Sequence, residues 1–328
     1  MTNKCKYYKQ AEYQSSDGGI TWVETGNYRK GDLYEMDSQD CASPPTPTGN
    51  KLIYTLNNGS TDSIACDSTS AITSADTRDF STNIVTAIIG DCVTTIGSRA
   101  FYGCNSLSSV TIPNSVTNFE IDKYGISSAF LNCRSLTSVT IPDSVISPIP
   151  NQAFRGCHSM TSAIIGNGVT SIGIQAFAEC SGMTSVIIGN SVTTIGNNAF
   201  NYCKSLTSLT IGNSVTTIGN IAFYNCQSLT SLTIPNSVTT IGNNAFSYCS
   251  SLTSVTIGNG ITSISDIAFE ACSRLTSITI NATTPPTIYS TSFDHTNDCP
   301  IYVPSGSVEA YKTAANWSTY ADRIFPIP

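Results

Sequence analysis

Cysteine is the residue in this chain with the most chemistry to offer. Thirteen occur in 328 residues, beside only two histidines, His158 and His295. Thiols in that number point to disulfides, to zinc, or to a Cys/His nucleophile pair. Cys104, Cys133, Cys157, Cys180, Cys203, Cys226, Cys249 and Cys272 are separated by 29, 24, 23, 23, 23, 23 and 23 residues, which matches no short-loop zinc pattern. Cys157 and His158 are adjacent, but neighbours on a short turn need not face each other. The position of His158 carries Asn105, Arg134, Lys204 and Gln227 in other repeats, so it reads as a surface side chain. Asp37 and Asp40 fall far short of a calcium site, and there is no glycine-rich phosphate loop and no His pair at metal spacing. The chain offers no catalytic residue, no metal site and no cofactor site, and reads as non-enzymatic.

The even spacing of the cysteines marks a tandem array instead. Residues 191–213 read SVTTIGNNAFNYCKSLTSLTIGN, and the next two stretches of 23 residues repeat them closely. Each ladder cysteine follows an Ala-Phe pair, from Ala100-Phe101 to Ala268-Phe269, which makes eight full units. A fixed period of this size predicts a solenoid in which each unit contacts only its neighbours. Within one unit, the alternation at Ser208-Leu209-Thr210-Ile211 predicts a short strand. Val192 to Ile195 is a second extended piece across a Gly-Asn or Pro-Asn turn, and Ala199 to Cys203 reads as a single helical or 3₁₀ turn. Burying the apolar side chains of a coil contributes about 1.5–3 kcal/mol each, whereas ordering its backbone costs roughly 1–2 kcal/mol per residue. One coil therefore cannot fold alone; stacking supplies the missing burial, and the two ends need caps.

Stacking also decides the state of the thiols. Equivalent Cα atoms of adjacent coils lie roughly 5 Å apart, but their Cβ vectors run parallel, which disfavours a bridge. The ladder cysteines are thus expected to be free, buried and inert. Cys5, Cys41, Cys66 and Cys92 lie outside the ladder and are the better disulfide candidates.

Around the array the chain divides into a small β-hairpin attachment module at 1–43, a Pro/Thr linker at 44–50, an N-terminal cap and half-coil at 51–97, the solenoid at 98–280 and a C-terminal cap at 281–328. Ser15 to Trp22 reads as a hairpin with an Asp17-Gly18 turn. The C-terminal cap combines Ile301-Tyr302-Val303-Pro304, a helix from Ser307 through Lys312, and an aromatic cluster of Trp317, Tyr320 and Phe325.

Composition narrows the partners. Hydrophobic residues make up 40% and charged residues only 11%, with a net charge of -7; no Lys/Arg cluster is present, which argues against nucleic acid and anionic membranes. No stretch approaches the apolar length of a membrane span, and the first thirty residues lack the apolar core of an export signal.

The repeat A-F-x-x-C-x-S-L-T-S-[VL]-T-I-[PG]-N-S-V-T-x-I-G resembles the BspA-like, Treponema-type leucine-rich repeat of surface proteins from gut Bacteroidales, over roughly Cys92 to Ile280. The tail from Ile301 to Ile324 resembles the C-terminal caps of those proteins. The resemblance implies a leucine-rich-repeat solenoid and adhesion to, or recognition of, cell surfaces, without catalysis. The Asp17 hairpin resembles an Asp-box, which is a structural turn. Residues 7–41 resemble short leader modules on Bacteroidales proteins and on proteins of their phages. Unlike the secreted members, this sequence shows no export signal and no sorting motif, so a phage virion or tail-associated receptor-binding protein stands beside a bacterial surface protein.

Positions that vary while the core stays fixed are where specificity is written. Two residues after each Phe and one after each Cys vary most, among them Tyr102, Arg134, Arg155, Glu179, Lys204 and Glu270. Tyr202 and Tyr248 share a column two coils apart, with Tyr224 on the coil between, and exposed tyrosines suit sugar faces or protein anchors. A six-residue excess between Cys104 and Cys133 predicts a surface loop, whose Phe119, Glu120, Asp122, Lys123 and Tyr124 form the second candidate contact. Ile164 and Ile187 add a small apolar stripe to the outward strand face. The expected partner is a cell-surface glycan or protein, with residues 1–43 contacting other surface or virion proteins. The alternative is a structural virion or assembly component that contacts protein subunits alone.

Overall fold

The structure is a computed structural model that describes residues 49–328 except 68, 79–80 and 123. Ahead of these it describes the strands Cys5–Tyr8, Glu12–Gln14, Ile20–Trp22 and Leu33–Met36. Glu12–Gln14 pairs antiparallel with Ile20–Trp22, and Cys5–Tyr8 with Leu33–Met36. The Asp17-Gly18 turn, Asp37, Asp40, Cys41, the Cys5 side chain and residues 44–48 lie outside the described residues.

From residue 50 onward the chain winds into a β-solenoid of about 11 turns with coils of about 23 residues. On the first wall, Ser138–Ile141, Ser162–Ile165 and Ser185–Ile188 pair in parallel, Ser on Ser and Ile on Ile. Alternation sends Val139 and Ile141, and their equivalents, inward and leaves Ser and Thr outside. The second wall is a six-stranded parallel sheet of two-residue strands from Ser171–Ile172 to Thr287–Ile288. Between the walls, nine phenylalanines from Phe101 to Phe293 stack ring on ring, with centroids 4.9 to 5.7 Å apart and planes within 9° of parallel. One ring per coil makes the stack a ruler for the coil repeat.

The polar residues of the repeat serve the corners. Thr207 Oγ1 donates to the Thr184 carbonyl at 3.0 Å, as Thr184 does to Thr161. Asn190 N–H donates to Asn167 Oδ1 at 2.9 Å. The asparagine oxygen takes up an N–H at the turn, and each threonine hydroxyl adds a donor to a carbonyl that N–H groups of its own coil also reach. The ladder cysteines from Cys104 to Cys272 are free and buried, and from Cys133 onward each thiol donates to the carbonyl of the preceding coil's phenylalanine, as Cys203 Sγ does to Phe177 O at 3.4 Å. Burial pushes the thiols from Cys133 to Cys272 up, Cys249 to about 12.

The third wall corrects the expectation of a helical turn. Residues 197–202 form successive turns and no helix. Asn198, Phe200 and Tyr202 donate their N–H groups to the carbonyls of Asn220, Ala222 and Tyr224 in the next coil, at 2.9, 2.8 and 2.9 Å. Asn198 and Tyr202 take left-handed φ values of 58° and 59°. Interspersing left-handed residues keeps the chain from curling into a helix and turns its N–H groups toward the neighbouring coil.

Both ends are closed. Asn50–Leu56 pairs antiparallel with Thr61–Ala65 on one side and Ile84–Ile89 on the other, the last of which starts the first wall by pairing with Ser109–Thr111. Cys66 and Cys92 form a disulfide there. The buried Lys51 amino group is held by Asp67 and Asp76, each at 3.2 Å, and by Thr69 at 3.0 Å. At the other end the coil continues past the expected limit of Ile280, through Thr287–Ile288, Phe293 and the buried Cys299. The helix Val308–Thr313 follows, and Tyr311, Trp317 and Tyr320 close over Phe293. Phe325 stands outside this cluster, 46% exposed, because the strand Ile324–Pro326 alternates and turns Ile324 inward.

Candidate recognition surface

The inserted loop is more structural than its composition suggests. Phe119 is 5% exposed: its strand Asn118–Phe119 pairs with Thr95–Ile96, and its ring meets Phe154 edge-on at 6.3 Å. It therefore occupies the buried isoleucine column of the second wall and leaves the contact surface. Asp122 Oδ1 accepts from the N–H groups of Tyr124 and Ile126 at 2.8 and 3.0 Å, so this carboxylate builds the turn. Lys123 lies outside the described residues. Glu120 and Tyr124, the latter 71% exposed, remain on the surface together with Ile121, which the sequence reading passed over.

Cys157 and His158 do not form a pair. Cys157 is buried and its thiol donates to Phe130 O, while His158 is exposed and its Nδ1–H donates to the Glu179 carbonyl at 2.8 Å. Ile164 and Ile187 lie side by side on the outer face of the first wall, both exposed.

The three tyrosines do come together on the third wall. Tyr202 and Tyr224 meet edge to face at 5.6 Å, and Tyr224 and Tyr248 at 5.4 Å. Burial, and then its two tyrosine neighbours and Glu270, push the Tyr224 hydroxyl up. Tyr202 and Tyr248 are 40% and 46% exposed. Beside Tyr202 lies a shallow depression of about 390 Å³ lined by His158, Glu179, Ser181, Tyr202 and Lys204. Arg155 closes on Glu179 through Nε and Nη2 at 3.2 and 2.8 Å. Lys204 Nζ stands 5.9 Å from the centre of the Tyr202 ring. Sequence reasoning singled out the tyrosines and missed what alternates with them. The pairs Asn201-Tyr202, Tyr224-Asn225 and Ser247-Tyr248 swap sides from coil to coil, and the buried Oδ1 atoms of Asn201 and Asn225 find no donor among the described residues.

The backbone beneath Tyr202 and Tyr248 is left-handed, with φ values of 59° and 61°. Elsewhere the same column carries Gly103, Asn132, Gly156 and Asn225, residue types that this region favours, but also Glu179, Ala271 and His295, all at positive φ. A tyrosine there costs of order 1 kcal/mol, which its edge-to-face contact with Tyr224 offsets in part.

Among the described residues no helix is long and apolar enough to cross a membrane. A comparison with curated proteins finds no match. Among solved structures, the chain is similar to a leucine-rich-repeat protein of T. pallidum, at 25% identity over 59% of this chain and 73% of that one, with a TM-score of 0.39. It is also similar to the pneumococcal vaccine antigen PcpA, at 19% identity over 74% and 66% of the two chains, with a TM-score of 0.46. A leucine-rich cell surface protein of Faecalibacterium prausnitzii matches at 23% identity over 86% and 98%, with a TM-score of 0.37. The BspA type leucine rich repeat region matches in six copies, over residues 74–206, 126–252 and 174–300. With that match running from the N-terminal cap to Cys299, the chain belongs to the BspA-type leucine-rich-repeat family.

Proposed function

We propose that this is a non-enzymatic recognition protein whose third wall binds a glycan or protein on a cell surface, along the row Tyr202, Tyr224, Tyr248. The observation that carries the reading is the row itself: three tyrosines on successive coils meet edge to face at 5.6 and 5.4 Å, with the outer two 40% and 46% exposed. The column of Tyr202 and Tyr248 also carries Glu179, Ala271 and His295 at positive φ, so it admits many side chains, and three large aromatic side chains gathered on this one face supply a continuous anchor for a partner. The Cys66–Cys92 disulfide supports display outside a reducing cytoplasm, on a bacterial surface or a virion.

The test exploits the strain. In a Tyr202→Asn, Tyr248→Asn double variant the thermal midpoint should stay level or rise, while binding of the labelled protein to intact Bacteroidales cells falls at least about tenfold, the loss of two aromatic anchors. A drop in stability with binding unchanged would assign both rings to the fold and end this reading.

A further inference from the structure

We infer that the ligand of the third wall is an acidic oligosaccharide, whose carboxylate sits in the depression beside Tyr202 against Lys204, with a ligand hydroxyl at His158, while its sugar rings run over Tyr224 and Tyr248. This rests on the reading of the tyrosine row as the binding surface, and adds the chemical class and the direction of the ligand.

Charge sets the direction. The protein carries a net charge of -7, yet the column one residue after each ladder cysteine brings Arg134, His158 and Lys204 onto the same wall within four coils. Glu179, the one carboxylate lining the depression, is already engaged by Arg155 at 2.8 Å. Lys204 is exposed and has no carboxylate partner among the described residues. The hydrogen bond that His158 Nδ1–H donates to the Glu179 carbonyl fixes the ring and leaves Nε2 as an acceptor for a ligand hydroxyl. At the far end of the row, Glu270 lies close enough to act on Tyr224. The surface therefore runs from cationic at Lys204 to anionic at Glu270, and an anionic group is favoured at the Tyr202 end alone.

The saccharide assignment comes from the shape of the surface and its aromatic row. The depression is shallow and open, with no enclosed pit to anchor a peptide side chain. The edge-to-face tyrosines present ring faces and edges in a row with hydroxyls at their tips.

Calorimetry with hyaluronan and polygalacturonate oligosaccharides, with the same oligomers after reduction of their carboxyls to alcohols, and with poly-glutamate tests this. At least one acidic oligosaccharide should bind the full-length protein. Its reduced form should bind about tenfold more weakly, the value of one partly exposed charge-assisted hydrogen bond. Lys204→Gln should lose the same factor for the acidic oligomer and nothing for the reduced one; Gln227 already fills this position one coil on, so the variant keeps the fold. Equal binding of acidic and reduced oligomers, an indifferent Lys204→Gln, binding of poly-glutamate as strong as that of the sugars, or no binding of either acidic oligosaccharide would each overturn the inference. Loss of cell binding in the tyrosine double variant alongside any of those results would leave the recognition role standing, whereas an inert double variant would remove both.

Discussion

Alkali should unfold this protein through its core. The Cys249 thiol is pushed from about 9 to about 12 by burial. Between those values the unfolded chain has released the proton and the folded coil still holds it. The unfolded state thus binds fewer protons, and stability falls as pH rises, by about 1.4 kcal/mol per pH unit for each such thiol. Burial, as the leading cause, also raises Cys133, Cys180, Cys203, Cys226 and Cys272 well above the ordinary value. Each of these thiols acts in the same direction, so the fall in stability with rising pH is steeper for the whole array than for Cys249 alone. The assay is urea unfolding followed by circular dichroism at steps from about pH 7.5 to about pH 10.5, for the native chain and for Cys249→Ala. At neutral pH the variant should be less stable by about 1–2 kcal/mol, through a small cavity. Its decline with pH should be shallower by about 1.4 kcal/mol per unit, so that the two curves converge near about pH 10. Curves that stay parallel across the range would show that the thiol does not change protonation on unfolding, and would refute its place in a dry core.

Two further perturbations probe the array and its cap. Phe223→Ala removes a ring stacked at 5.1 and 5.2 Å on its neighbours; it should cost about 3–5 kcal/mol and, because each coil is coupled only to the next, split urea unfolding into two transitions, which hydrogen exchange would assign to the halves on either side. A single transition with a loss under about 1 kcal/mol would contradict the nearest-neighbour account. Replacing both Cys66 and Cys92 with alanine opens a loop of sequence separation 26 and should lower stability by about 2–4 kcal/mol, with exchange rising first in Asn50–Leu56 and Ile84–Ile89, the strands of the cap.

The repeat made most of the fold legible. Core columns, strand periodicity, the thiol ladder and the need for caps all follow from 23-residue self-similarity and from one coil being too small to bury itself. What was not legible has a common cause. The segment Ala199 to Cys203 resembles a helical turn in composition, but its backbone is decided by carbonyls one coil away, which no single-coil reading contains. The same holds for Gly196, where an added Cβ would come within 2.8 Å of the Gly173 and Ile172 backbone in the preceding coil. Its conformation is ordinary, and only the stack forbids a side chain. The extra coil past Ile280 was hidden because Ser292 replaces the alanine before Phe293, although the phenylalanine still stacks at 5.7 Å.

The candidate surface shows how an irregularity in a repeat is to be weighed. Phe119 and Asp122 stood out in the sequence because they break the pattern, yet the fold absorbs both: Phe119 fits the isoleucine column and Asp122 closes its own loop. A hidden signal was present, since Ser115-Val116-Thr117-Asn118-Phe119 aligns with Ser191-Val192-Thr193-Thr194-Ile195, which places Phe119 inside. Tyr202 and Tyr248 are deviations of a different kind, because they pack on Tyr224 at the surface and add nothing to the buried core. They occupy a backbone conformation that glycine and asparagine hold more easily, and they leave about half of each ring in solvent. In an array where each coil is a template for the next, a departure argues for function only where the core does not absorb it, and by that measure the proposed recognition surface falls on the third wall between His158 and Tyr248.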